Sequence, residues 1–211
     1  MHIPDGILDP KVWGASAVVT AAVLAKSVRY SRNKLQYRAV PVMGVMSAFI
    51  FASQMINFPL LGAATSGHLI GGALAALLFG FWPATLIMTT VVAIQAIVFQ
   101  DGGITALGTN LLNMAILAPG IAVLADRLLR PISLIPQPLK VFITSWLCVQ
   151  AVALVVAAEL ALSGVIPFGT AAKALLFWHA FIGVGEGVIT AIVLPFALRS
   201  SFQFREESTT P

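Results

Sequence analysis

The chain has 211 residues, of which 59% are hydrophobic and only 9% charged, with a formal net charge of +4 at neutral pH. Soluble domains carry roughly 25% charged residues, so this chain cannot cover a water-facing surface, and its few basic residues make no nucleic-acid footprint. It reads as a helical integral membrane protein, because apolar runs of roughly 20 residues recur where a barrel would show alternation.

The first residues, MHIPDG, hold one of the chain's three histidines. They lack the charges and the apolar run of a cleavable signal, so the expected mature N-terminus is Met1. Its removal is disfavoured because the trimming enzyme needs a small second residue and His2 is not small. Seven apolar segments follow: Val12–Ser31, Pro41–Phe58, His68–Phe81, Pro83–Phe99, Thr109–Leu129, Leu139–Ser163 and Thr170–Ser200. The third and fourth are short and meet at FGFWP, which predicts a tight helical hairpin. Pro119 and Pro195 should kink the fifth and seventh. Cys148 lies within an apolar run, where a lone thiol packs as a small hydrophobe. No linker divides the chain, so residues 1–211 are expected to form a single bundle domain.

Charge sets the expected orientation. With seven spans, Lys26, Arg29, Arg32, Lys34, Arg38, Arg127, Arg130, Lys140, Arg199 and Arg205 share one side, and only Lys11 and Lys173 the other. The basic side is the cytoplasmic one, which puts the N-terminus outside and the FREESTTP tail inside. MHIPDG and the connection NFPLLGAATSGH, which ends in His68, then lie on the same outer face.

That placement gives the opening residues a chemical meaning. A free α-amine is a nitrogen ligand. The next peptide nitrogen is a second once deprotonated, and the His2 imidazole can swing back as a third. Together they close a five- and a six-membered ring around one ion and leave one corner of a square for His68. Four planar nitrogens suit Ni(II) or Cu(II) better than Zn(II), and calcium and magnesium prefer oxygen. Pro4 restricts Ile3, Asp5-Gly6 favours a turn, and Asp5 is placed to accept a hydrogen bond from His2 or His68. On the residues alone, His2 as an ordinary second residue and His68 as a satisfied polar residue stay open. Thr65 or Ser66 reads equally as a helix N-cap, and Gly67-x-x-x-Gly71 as a close helix contact.

MHIPDG, TSGHLIGG, GTNLLNMAI and WHAFIGVGEGVITAIVLP, in this order along nearly the whole chain, resemble the CbiM/NikM family, the substrate-capture (S) components of energy-coupling factor (ECF) transporters for nickel or cobalt. The resemblance implies a seven-helix bundle with its N-terminal segment inserted into the outer face. It also implies a metal held by the Met1 amine, the His2 amide nitrogen, the His2 imidazole and the His68 imidazole. Pro4 and Asp5 match the nickel members, although the same nitrogen set holds low-spin Co(II). The metal is the transported substrate, and no organic cofactor is implied. The implied partners are a transmembrane T component, two cytoplasmic ATPases and a small auxiliary membrane subunit, all in a prokaryotic plasma membrane. The chain itself has no G-x-x-x-x-G-K-[ST] loop for ATP.

Other intramembrane polar groups call for a role. His179 and Glu186 share a helix face, with Glu186 inside Gly183-x-x-x-Gly187. They read as a structural hydrogen-bonding pair, as a contact with a partner or gate, or as direct ligands, and His179 also as a group orienting a ligand. Asn110 and Asn113 either brace the Met1–Asp5 segment or cap a helix. Glu159 is expected to reach water. Ala48 and Ala52 lie on a small-residue face open to a partner. An intramembrane enzyme using His179 and Glu186 lacks a nucleophile–base pair. A self-sufficient carrier lacks a continuous polar line across the bundle.

Overall fold

The computed structural model describes residues 1–35, 37 and 39–199. The chain is mostly helical. Its order is α1 (Pro10–Lys34), α2 (Ala39–Gln54), a two-stranded antiparallel ribbon of β1 (Phe58–Leu60) and β2 (Thr65–Gly67), α3 (Gly72–Phe79), α4 (Phe81–Val98), α5 (Leu107–Leu111), a π-helical stretch (Leu112–Leu117), α6 (Ala118–Leu129), α7 (Gln137–Leu162) and α8 (Phe168–Arg199). In the ribbon, Phe58 faces Gly67 and Leu60 faces Thr65.

Helix α1 shows the inverted polarity that lipid demands. Asp9 caps its first turn by accepting from the Lys11 N–H at 2.8 Å. Its buried residues are Ser16, Thr20, Ser27 and Ser31, whereas Val18 is 72% exposed. The hydroxyls serve the neighbouring elements: Thr20 donates to the Gly108 carbonyl at 2.8 Å and Ser27 to that of Trp82 at 2.6 Å. Small polar residues let membrane helices approach and bond across the contact. Gly108 belongs to the same seam, where an added Cβ would lie 2.6 Å from the Ala17 Cα.

Among the described residues, five stretches are long and apolar enough to cross a membrane: Pro10–Lys34, Phe81–Val98, Leu107–Leu129, Gln137–Leu162 and Phe168–Leu198. Helix α2 is apolar but has 16 residues. The expected third span, His68–Phe81, is not a helix of spanning length. Its helical part is the 8 residues of α3, about 12 Å at 1.5 Å per residue. The reason is local. Gly71 and Gly80 have φ of 76° and 81° and bracket α3, in a region that residues with a Cβ avoid. His68 therefore lies in extended chain after β2, not at a helix start, and Thr65 and Ser66 are strand residues rather than an N-cap. Gly67 and Gly71 do not form a helix–helix contact either: Gly67 packs on Phe58 and Gly71 on Ile50 of α2.

The irregularity expected at Pro119 falls just before it, in Leu112–Leu117, since proline offers no N–H to the carbonyl one turn back. Helix α8 runs unbroken through Pro195. Its Gly183 and Gly187 do admit a neighbour closely, namely Trp146 and Phe142 of α7. Trp146 seals the contact by donating to the Ala180 carbonyl at 3.2 Å. Cys148 is fully buried and donates to the Ala118 carbonyl. Arg38, Arg205 and the FREESTTP tail lie outside the described residues, as does the side chain of Arg199.

Candidate metal centre

Residues 1–9 form a strap that runs into the bundle before α1 begins. Met1 and Ile3 are completely buried and His2 is 3% exposed. A terminus ordinarily frays unless tied down, and here the ties are explicit. The Ile3 N–H donates to Asn110 Oδ1 at 2.9 Å, and Asn110 Nδ2 returns a bond to the Ile3 carbonyl at 3.0 Å. The Gly103 N–H also reaches that carbonyl, at 2.9 Å. The Asp5 carboxylate accepts from the N–H groups of Ile104 and Thr105 at 3.0 and 2.7 Å and from the Thr105 hydroxyl at 2.6 Å. These bonds hold Asp5 below the usual carboxylate range, Thr105 foremost. Gly6, with φ of 79°, makes the turn into α1.

The strap delivers three nitrogens to the extended chain after β2. The Met1 amine abuts His68 Nε2 and donates to Ser66 Oγ at 3.2 Å. The His2 backbone N–H also donates to Ser66 Oγ, at 3.0 Å. The His2 and His68 rings stack with centroids 4.6 Å apart.

A backbone carbonyl fixes the proton position on His68. His68 Nδ1 sits 2.6 Å from the Leu69 carbonyl oxygen. A carbonyl only accepts, so Nδ1 bears the proton and Nε2 presents its lone pair to the amine. His2 Nε2 lies 3.1 Å from Gln95 Oε1; in the tautomer with its proton on Nε2, Nδ1 is the acceptor. That Nδ1 is buried without a hydrogen-bond partner. Its neighbour is Asp101 Oδ1 at 3.5 Å, an acceptor facing an acceptor, so this contact is no ion pair while His2 is neutral. Neutral it is: burial, then the adjacent amine, push the His2 imidazole down to about 3. Burial likewise lowers the Met1 amine, with Asp101 opposing, and lowers His68. Asp101 is itself raised by burial and is held by Asn57 Nδ2 at 2.8 Å.

The arrangement gathers nitrogen donors whose protonation burial disfavours, with the Asp101 carboxyl behind them. No group of three or more His, Cys, Asp or Glu side chains able to hold a metal occurs among the described residues.

The remaining sequence candidates divide. Asn110 braces the strap. Asn113 does not: its Nδ2 donates to Glu159 Oε2 at 2.7 Å. Glu159 is accordingly buried at 6% exposure rather than reaching water. Asp5 anchors the strap but bonds neither His2 nor His68; Gln95 bonds His2 and the Leu69 carbonyl bonds His68. His179 and Glu186 do not bond each other. His179 Nδ1 donates to the Leu175 carbonyl of its own helix at 2.8 Å, and Glu186 accepts from backbone N–H groups of residues 70 and 71. The Nε2 of His179 is buried without a hydrogen-bond partner. Sequence reasoning overlooked Ser66 as a partner of the donors, and overlooked Gln95 and Gln54. The two glutamines carry the signal that singled out Glu186, a polar side chain inside an apolar helix.

Comparison with known proteins agrees with this geometry. The family model described as cobalt uptake substrate-specific transmembrane region, CbiM, matches residues 2–203. A Haloquadratum walsbyi protein named for metal transport is 41% identical over 198 residues, 93% of this chain and 89% of that one. An Archaeoglobus fulgidus protein named as fused nickel transport protein NikMN is 36% identical over 215 residues, 100% of this chain and 70% of that one. A crystal structure described as a truncated transition metal transporter superposes with a TM-score of 0.88 at 32% identity, covering 94% of this chain and 98% of its own. A strap carrying neutral nitrogen donors into a multi-pass helical bundle, together with these matches, makes the chain a member of the CbiM family of nickel and cobalt transport proteins, which are not enzymes.

Proposed function

We propose that the chain is the substrate-capture subunit of an ECF-type transporter in a prokaryotic plasma membrane, and that it takes up Ni(II) through the Met1 amine, the His2 amide nitrogen, His2 Nδ1 and His68 Nε2. The observation that carries this reading is the orphaned His2 Nδ1. It is a buried ring nitrogen with no hydrogen-bond partner, beside the Met1 amine and a second imidazole whose lone pair is aimed at that amine. A buried acceptor without a donor is costly, and a cation bound by the amine and both rings removes that cost. Asp101 then offsets charge brought into the site. The His2 amide gives up its proton when it becomes a donor, and Ser66 is its present acceptor.

Four nitrogens of this kind favour a square plane and thus Ni(II). Cobalt is the second reading, favoured by the description of the matching family model. The chain has no ATP-binding loop of the Walker type, so the proposal assigns energy coupling to a T component, two cytoplasmic ATPases and a small auxiliary membrane subunit. The strap side faces outward by the distribution of basic residues.

The test is competitive metal titration of the untagged protein against a form carrying one extra residue before Met1. The extension turns the amine into an amide and should abolish tight Ni(II) binding, as should His2→Ala and His68→Ala. Tight binding by the wild-type form should give a diamagnetic, low-spin spectrum. Unchanged affinity in the extended form refutes the amine as a ligand.

A further inference from the structure

Two buried polar side chains take no part in holding the metal as proposed, yet both reach the same piece of chain. Glu186 of α8 accepts from the Ile70 N–H at 2.6 Å and from the Gly71 N–H at 2.7 Å. Gln54 of α2 donates to the Ile70 carbonyl at 2.5 Å. The donor and acceptor of one residue are thus gripped by two different helices. That residue has no helix of its own to satisfy it, because α3 starts at Gly72, and unpaired backbone within a bilayer is tolerated only where protein partners it.

The grip reaches His68 through one rigid unit. The Ile70 N–H and the Leu69 carbonyl belong to the same planar peptide. Glu186 holds the N–H end of that plane, and the carbonyl end accepts the His68 Nδ1 proton at 2.6 Å. The His68 ring therefore points its Nε2 at the Met1 amine from a peptide whose tilt Glu186 sets. Next to the grip, a cavity of about 20 Å³, lined in part by Ile50, Gln54, Leu69, Glu186 and Thr190, lies between α2, α3 and α8. It has room for about one water, and Gln54 Oε1 is buried there without a partner. Packing at this point leaves a gap between the two helices.

We infer that Gln54 and Glu186 form a clamp that positions the His68 imidazole and couples metal capture to the relative placement of α2 and α8. Both are positioning residues, and the inference rests on His68 being a ligand. The test measures Ni(II) affinity, dissociation into a chelator and the ligand-field spectrum of the full, untagged chain. Glu186→Gln puts a donor where one N–H needs an acceptor. Gln54→Leu removes the donor to Ile70 and leaves the carboxylate in place.

Both variants should bind Ni(II) about 10- to 100-fold more weakly, the usual effect of losing a group that orients a ligand. Dissociation should be faster and the ligand-field band shifted, which a loss of stability alone would not produce. Wild-type affinity and spectrum in both variants overturn the clamp. His68→Ala, run alongside, separates the two readings. If it too binds as wild type, His68 is no ligand; if it alone loses binding, only the clamp fails. Should Glu186→Gln not fold, Gln54→Leu decides.

Discussion

Gly103→Ala tests the docked strap with a single methyl group. The added Cβ would lie 2.5 Å from Asp5 Oδ1 and 2.7 Å from the Pro4 carbonyl carbon, and would press on the Asp5 nitrogen as well. These are strap atoms, two of them backbone, so no side-chain rotation relieves the overlap. The strap cannot slide aside freely either, since the Asp5 carboxylate is held by three donors from Ile104 and Thr105. Overpacking of this kind costs about 1–3 kcal/mol. Charged wholly to the docked strap, that is about 5- to 150-fold in nickel affinity, at 1.4 kcal/mol per tenfold. The assay is competitive Ni(II) titration of untagged protein, with thermal unfolding to show that the bundle persists. Gly14→Ala is the control: nothing lies within 4 Å of its Cβ position, so nickel affinity should stay put while α1 gains about 1 kcal/mol. Wild-type affinity in Gly103→Ala would mean that metal binding does not require the strap where it lies.

Nickel affinity should rise with pH near neutrality, because the His2 amide releases a proton on becoming a ligand; proton release measured by calorimetry in several buffers checks this. The docked strap should weaken as pH falls below the ordinary histidine value of 6.5, since docked His2 resists protonation down to about 3 and the free form binds the proton first; exchange of the Ile3 amide hydrogen reports it. Asp101→Asn should weaken nickel binding about tenfold, by removing the anion and offering an N–H to His2 Nδ1, as read by the same titration. Glu159→Ala leaves Asn113 unpaired in the interior and should cost about 1–3 kcal/mol of stability, with nickel affinity unchanged in the folded fraction.

The docked position of Met1 and His2 beside His68 was legible because the chemistry that proposes them as chelators is local: an amine, a peptide nitrogen and an imidazole on adjacent positions need no tertiary information. The brace by Asn110 was legible only as one of two options, since Asn110 and Asn113 lie three residues apart. Which of them meets Ile3 is decided across the start of the π-helical stretch, a feature no periodicity announces. Glu159 misled for a related reason. Its position near a helix end implied water, but Asn113, 46 residues earlier in the chain, covers it. The third span failed because TSGHLIGG reads as apolar enough for a helix, while Thr65–Gly67 pairs as a strand and Gly71 takes a positive φ that no helix runs through. Hydropathy sees the first property and not the second.

The shortness of α3 carries a consequence for how cargo leaves. The four residues ahead of it, 68–71, belong to no helix or strand and are tethered by a handful of contacts rather than by a ladder of consecutive turns. Swinging the distal imidazole away therefore requires no unwinding anywhere in the bundle. What holds it is a few discrete hydrogen bonds, from Glu186 and Gln54 to the peptides around Ile70 and from the Met1 strap.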